Sequence, residues 1–254
     1  MNFKKILLVC GLIAGLGLTA CGGNQTTEPA ETETTETTET TETTEVAEIK
    51  EMAGDELDAI MEDNKKKEDY LVIDVRSPEE YKEGHVKHAI NLNGDELEGN
   101  LVRIEAFKDK EVITICNSGK KSQTAAETLV ANGFTNIHNA EGVKDYEYTT
   151  LIQLESVFGS ELQEAADAGQ AFIIDARDAK DYEAGHVKGA VNITPDTVDS
   201  MIADIPMDTP VYVYCYSGNK SFEVAQKVSE AGNPEVYNSL DGTNEFDGFT
   251  LVQE

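Results

Sequence analysis

From about residue 48 onward, short apolar runs alternate with longer stretches in which apolar residues recur every three or four positions. The runs at 71–75, 89–92, 112–116 and 136–139 predict strands, and a second set follows at 171–176, 190–193, 211–215 and 235–238. Runs so nearly continuous suit strands buried on both faces. The amphipathic stretches predict helices over 54–64 and 122–132, with counterparts at 160–168 and 221–231. Each later helix opens on a serine and closes near Gly133 or Gly232, as capping residues would. Strands that alternate with helices predict an α/β fold, a small parallel sheet with helices on both faces.

The pattern is written twice. Val72-Ile73-Asp74-Val75-Arg76, Gly84-His85-Val86-Lys87 and Cys116-Asn117-Ser118-Gly119-Lys120-Lys121-Ser122 return as Ile173-Ile174-Asp175-Ala176-Arg177, Gly185-His186-Val187-Lys188 and Cys215-Tyr216-Ser217-Gly218-Asn219-Lys220-Ser221. A repeat of roughly 100 residues is far longer than a solenoid unit, so it reads as two tandem domains of one kind, over 48–150 and 151–254. Cys116 and Cys215 each end a buried strand, and the turn after them runs straight into a helix, the place where open α/β sheets bind ligands. A turn of small residues before a helix N-terminus aims backbone N–H groups into one concavity, which holds an anion and stabilises a thiolate. A free cysteine is often only a small buried hydrophobe. Two at the same loop, each with Ser-Gly-x-Lys-Ser in its wake, point instead to function.

Before the repeats the composition changes. Lys4 and Lys5 precede an apolar run over 6–18 that is too short for a membrane span, the layout of a signal peptide over 1–20. It closes on Leu18-Thr19-Ala20-Cys21-Gly22, which resembles the bacterial lipobox, so cleavage before Cys21 and acylation of that residue are expected. Acyl chains contribute roughly 0.8 kcal/mol per buried methylene, enough to hold an exported protein at a membrane surface. Residues 24–45 are nearly all Thr and Glu, which predicts a disordered linker within 21–47, reaching about 80 Å at most.

A formal net charge of -29 argues against nucleic acid as a partner and against flat docking on anionic lipid. Of the four cysteines, Cys10 leaves with the leader and Cys21 would carry lipid. Cys116 and Cys215 hold equivalent places in two domains, which disfavours a bridge needing Cα atoms within about 7 Å. No cluster of His, Cys and carboxylates has metal-ligand spacing. Asp74, Arg76 and His85, with Asp175, Arg177 and His186, read as loop clamps rather than catalytic groups. His88 and His138 lack counterparts in the other repeat and are expected at the surface.

These residues resemble the rhodanese family, whose domains combine an Asp-x-Arg strand end, a Gly-His-Ile/Val segment and an active loop of the form Cys-x-x-Gly-x-Arg-Ser. The family's Gly-Ile-x-Ala-Trp element has weaker likenesses in Gly142-Val143-Lys144-Asp145-Tyr146 and Gly242-Thr243-Asn244-Glu245-Phe246. The resemblance implies a sulfurtransferase without cofactor or metal. Cys116 and Cys215 would carry a persulfide taken from thiosulfate or a persulfide donor and passed to cyanide or a thiol. Asn117, Ser118, Gly119, Lys120, Lys121 and Ser122, with Tyr216, Ser217, Gly218, Asn219, Lys220 and Ser221, would bind these small sulfur-containing anions and thiols. Lys121 and Lys220 stand where the family has Arg, keeping the charge but not the two-pronged grip. Two alternatives stay open. A phosphatase of the same fold uses a loop one residue longer that ends in Arg, and a binding module would trap sulfide or a partner thiol without turnover. The sequence does not rank Cys116 against Cys215.

Overall fold

Aliphatic and β-branched residues at consecutive positions form strands here because both faces of the sheet are covered. The computed structural model describes residues 47–253. The expected leader, Cys21 and the Thr/Glu stretch lie outside them. The first repeat runs β1 (Ile49–Met52), α1 (Gly54–Glu62), β2 (Tyr70–Asp74), α2 (Pro78–Glu83), β3 (His85–Val86), β4 (Ile90–Asn91), α3 (Leu97–Asn100), β5 (Glu111–Ile115), α4 (Lys120–Ala131) and β6 (Asn136–Ala140). β7 (Leu151–Ile152) then pairs antiparallel with β3. The second repeat runs β8 (Glu155–Val157), α5 (Gly159–Ala168), β9 (Phe172–Asp175), α6 (Ala179–Ala184), β10 (His186–Val187), β11 (Val191–Asn192), α7 (Val198–Met201), β12 (Val211–Tyr214), α8 (Asn219–Glu230), β13 (Val236–Ser239) and β14 (Leu251–Val252), which pairs likewise with β10.

Each repeat holds one five-stranded parallel sheet, in the orders β1-β6-β5-β2-β4 and β11-β9-β12-β13-β8. Side chains alternate across it as the pleat requires. Leu71, Ile73, Val112 and Cys116 pack with Ala125, Ala126 and Leu129 of α4, while Val72, Ile113 and Ile115 pack with Leu57, Ile60 and Met61 of α1 on the other face. Cys215 likewise lies with Val224, Ala225 and Val228 of α8. Both cysteines therefore share a face with the helix that follows them. Phe158 and Leu240 of the second repeat are buried in the first repeat's core, so the repeats pack against each other.

The structure departs from the sequence expectation in several places. β1 and β8, absent from the predicted strands, are edge strands with few apolar residues that add to the sheet through backbone pairing with β6 and β13. The short helices α2 and α6 also escape periodicity; α2 is set by the Ser77 hydroxyl, which accepts from Glu80 N at 3.3 Å, and by Pro78 at its first position. α4 and α8 start two residues earlier than predicted, at Lys120 and Asn219. Gly119 (φ 74°) and Gly218 (φ 79°) hold the N-cap positions in the left-handed region. Ser122 and Ser221 are thus not caps, and their hydroxyls are free to turn toward the cysteines.

Candidate active site

Cys116 follows β5, only 2 % exposed as a residue, with its backbone heading into a tight turn. The left-handed turn at Gly119 brings the head of α4 back over the sulfur. Ser122 donates to Cys116 Sγ through both its backbone N–H and its hydroxyl, each at 3.3 Å. The same hydroxyl lies 2.7 Å from Asn139 Oδ1, an alternative acceptor on β6. Burial pushes the Cys116 thiol up. The Ser122 hydroxyl and the N–H groups of Ser118, Ser122 and Lys121 outweigh burial, and hold it below the ordinary thiol value.

The loop is pinned from behind. Val143 N–H donates to Cys116 O and Lys144 N–H to Asn117 O, both at 3.0 Å. That approach needs Gly142, since a Cβ there would stand 2.3 Å from Asn117 O and 2.4 Å from Ser118 N. Asn117 Nδ2 donates to Glu80 Oε1 at 2.7 Å. Lys120 and Lys121 are exposed and make no ion pair among the described residues. Ser118, Gly119 and Lys120 also border a cavity of about 900 Å³ that Cys116 does not line. Glu51, Glu56, Glu141 and Asp145 on its wall make it a poor place for an anion.

The second loop repeats the plan with different partners. Ser221 Oγ donates to Cys215 Sγ at 3.3 Å, and Thr243 N–H and Asn244 N–H hold the carbonyls of Cys215 and Tyr216 at 3.0 and 2.9 Å. Gly242 is required by the same close approach, and a Cβ on Gly218 would meet Leu240 O at 2.4 Å. Tyr216 Oη donates to Asp181 Oδ2 at 2.5 Å. Lys220, expected to face the anion, extends to Asp178 Oδ1 at 2.6 Å instead. Glu68 of the first repeat accepts from Ser217 Oγ and Asn219 Nδ2, and Lys67 of the first repeat donates to Ser217 O. The sequence pattern does not point to Lys67 or Glu68. Their one signal is a lysine run, 65–67, that the second repeat lacks.

The clamps form as expected. Arg76 forks onto Asp74, with Nη2–Oδ2 at 2.6 Å, and donates to Gly84 O at 2.7 Å; Arg177 does the same to Asp175 and Gly185 O. His85 Nδ1 and Nε2 lie 2.9 and 3.0 Å from the carbonyls of Tyr81 and Leu154, tying α2 to the second repeat. His88 corrects the expectation of a surface residue. It is 2 % exposed with its ring against Phe222 of α8, because the repeats pack where an isolated domain would meet water. His138 is largely buried too, at 2.6 Å from Glu111 Oε2. Both cysteines are free, and among the described residues no His, Cys and carboxylate group could hold a metal.

The family model described as "Rhodanese-like domain" matches residues 54–145 and 159–248, most of the chain. Among solved structures, a thiosulfate sulfurtransferase from Pseudomonas aeruginosa aligns at 19 % identity and a TM-score of 0.35, over 81 % of this chain and 44 % of its own. A rhodanese with anions from E. coli aligns at 34 % identity and a TM-score of 0.31, over 33 % of this chain and 98 % of its own. A rhodanese-related protein from Thermoplasma volcanium aligns at 24 % and 0.35, over 41 % and 98 %. The chain thus spans less than half the length of the Pseudomonas protein.

Proposed function

The chain belongs to the rhodanese-like domain family, matched twice along its length, and from that premise we propose that it transfers sulfane sulfur through a cysteine persulfide, with Cys116 the better prepared of its two sulfur carriers. One observation carries the reading: Cys116 Sγ lies at the head of α4 and accepts from both the N–H and the hydroxyl of Ser122. Those donors stabilise negative sulfur, and both stand within reach of it before any ligand arrives.

The chemistry balances without an external oxidant. The Cys116 thiolate attacks the outer sulfur of thiosulfate, the donor's S–S bond breaks, and sulfite leaves with the electron pair. Cyanide or a thiolate then attacks the terminal sulfur of the cysteine persulfide. The new S–S bond breaks and its pair returns to Cys116, whose charge the Ser122 donors receive again. Through both steps the loop holds an anion on sulfur. Lys120 and Lys121 supply local positive charge to a strongly acidic protein, so small anionic donors can approach. The loop holds four residues between Cys116 and Lys121 and has no Arg, which speaks against phosphoryl transfer.

The leader pattern and Cys21 support an exported protein anchored by lipid at a membrane surface, and the net charge argues against nucleic acid as a partner. Loss of labelled palmitate incorporation in Cys21→Ser is the expected result there. For the activity, the test is thiocyanate release from thiosulfate and cyanide by wild type, Cys116→Ser, Cys215→Ser and the double variant. Full activity in the double variant overturns the proposal. Stable sulfur adducts without turnover would favour a binding module.

A further inference from the structure

Lys67 ends a lysine run whose other members, Lys65 and Lys66, are exposed, yet it is only 3 % exposed. The cause is local. Asp63 Oδ1 accepts from the backbone N–H groups of Lys65 and Lys66 at 2.9 and 3.2 Å, which tightens the turn after α1 and leads into a 3-10 turn, Lys66–Asp69. Lys67 thereby points at the second repeat, where Nζ donates to the carbonyl of Ser217, two residues beyond Cys215. Glu68 Oε1 accepts from Ser217 Oγ at 2.7 Å and Asn219 Nδ2 at 2.9 Å, and Asn64 O accepts from Asn219 Nδ2 at 3.1 Å. Duplication alone does not produce this arrangement. Seven residues before the strand-end Asp stands Lys67 in the first repeat and Ala168 in the second.

The charge of Lys67 needs an anion. Among the described residues no carboxylate lies within ion-pair distance of it. The two nearby carboxylates are engaged elsewhere, Glu68 by the loop and Glu245 by Lys110 at 3.1 Å. An ammonium buried against a neutral carbonyl is poorly compensated. Burial pushes Lys67 down, and Glu245, Cys215 and Glu68 push it back up against Lys110. His88 adds no second cation to this corner: its ring nitrogens lack partners, and burial, then Lys67 and Lys87, hold it far below the ordinary histidine value. Its backbone sits in the left-handed region (φ 65°) where the second repeat has Gly189, held there by ring packing on Phe222 at 4.8 Å.

We propose that Lys67 is a positioning residue for Cys215: its ammonium supplies the second loop with the cation that Lys220, turned outward to Asp178, does not. The Cys215 thiolate then depends on both repeats, whereas Cys116 draws its donors from its own. The use of that thiolate rests on the sulfur-transfer reading, but the test does not.

The experiment follows iodoacetamide alkylation of both cysteines against pH in the full chain, each cysteine read as its own peptide by mass spectrometry. Lys67→Met, an apolar chain of similar length that removes a buried charge, and Lys67→Gln, a neutral donor, are compared with Lys67→Arg. Either neutral variant is expected to raise the Cys215 inflection by about one pH unit, roughly a ten-fold loss of alkylation rate at pH 7, and Arg to restore most of it. The Cys116 profile should not move, which also reports an intact fold. An unmoved Cys215 profile, equal shifts at both cysteines, or failure of Arg to rescue would overturn the proposal. Alkylation reads the thiolate directly, so the role of Lys67 is tested even in a chain that transfers no sulfur.

Discussion

Replacing Ser122 by Ala removes one donor from Cys116 while leaving the backbone that carries the other. The Ser122 hydroxyl has two acceptors within reach, Asn139 Oδ1 at 2.7 Å and Cys116 Sγ at 3.3 Å; its single proton should serve the amide oxygen when the sulfur is a neutral thiol, a weak acceptor, and the sulfur when it is a thiolate. A hydrogen bond to a charged group contributes about 1.5–3 kcal/mol and a neutral one about 1 kcal/mol. The difference, about 0.5–2 kcal/mol, favours the thiolate and corresponds at its middle to roughly one pH unit. Ser122→Ala should therefore raise the Cys116 inflection by about one unit in an iodoacetamide pH profile. Thiosulfate turnover should fall about ten-fold wherever the thiolate is the minor form. At a pH well above the shifted inflection, wild type and variant should converge. An unmoved inflection, or a rate deficit that persists at high pH, would refute the claim that this hydroxyl acts through the charge on sulfur.

Two further outcomes follow from the packing around the loops. Gly142→Ala must displace the backbone of Asn117 and Ser118, at a cost of about 1–3 kcal/mol, and should slow Cys116 alkylation; Gly99→Ala, with nothing within 4 Å, should be neutral to slightly stabilising in denaturant melts. Asp241, buried with Gly159 N–H at 2.5 Å, has its carboxyl pushed from 3.8 up to about 6 by burial. A raised carboxyl pKa favours the protonated fold, so its contribution is fully present below pH 4 and is lost as pH rises toward 6. Asp241→Asn should thus be more stable than wild type above pH 6, by up to about 3 kcal/mol, with the gap closing below pH 4; a gap independent of pH would contradict this.

The central strands were legible because Leu71, Val72 and Ile73, or Val112 and Ile113, are apolar on both faces, and the cysteine loops because glycine and small residues must follow a strand that turns into a helix. The edge strands were not, since Ile49-Lys50-Glu51-Met52 joins β6 by backbone pairing that leaves no apolar period. The helix starts were misplaced for a related reason. Ser122 has a capping residue's chemistry, but its hydroxyl serves Cys116, while Gly119 makes the turn by its φ alone. His88 and Lys67 were opaque for another reason. Their burial comes from contact between the repeats, and nothing within either repeat's pattern encodes it.

The most direct measurement is the mass of the Cys116 and Cys215 peptides after the full chain is treated with thiosulfate and quenched before any acceptor is added. One added sulfur is expected on the Cys116 peptide, removed on addition of cyanide with release of thiocyanate. Sulfur absent from both peptides, or thiocyanate formed at the wild-type rate by the Cys116→Ser, Cys215→Ser double variant, would contradict that expectation.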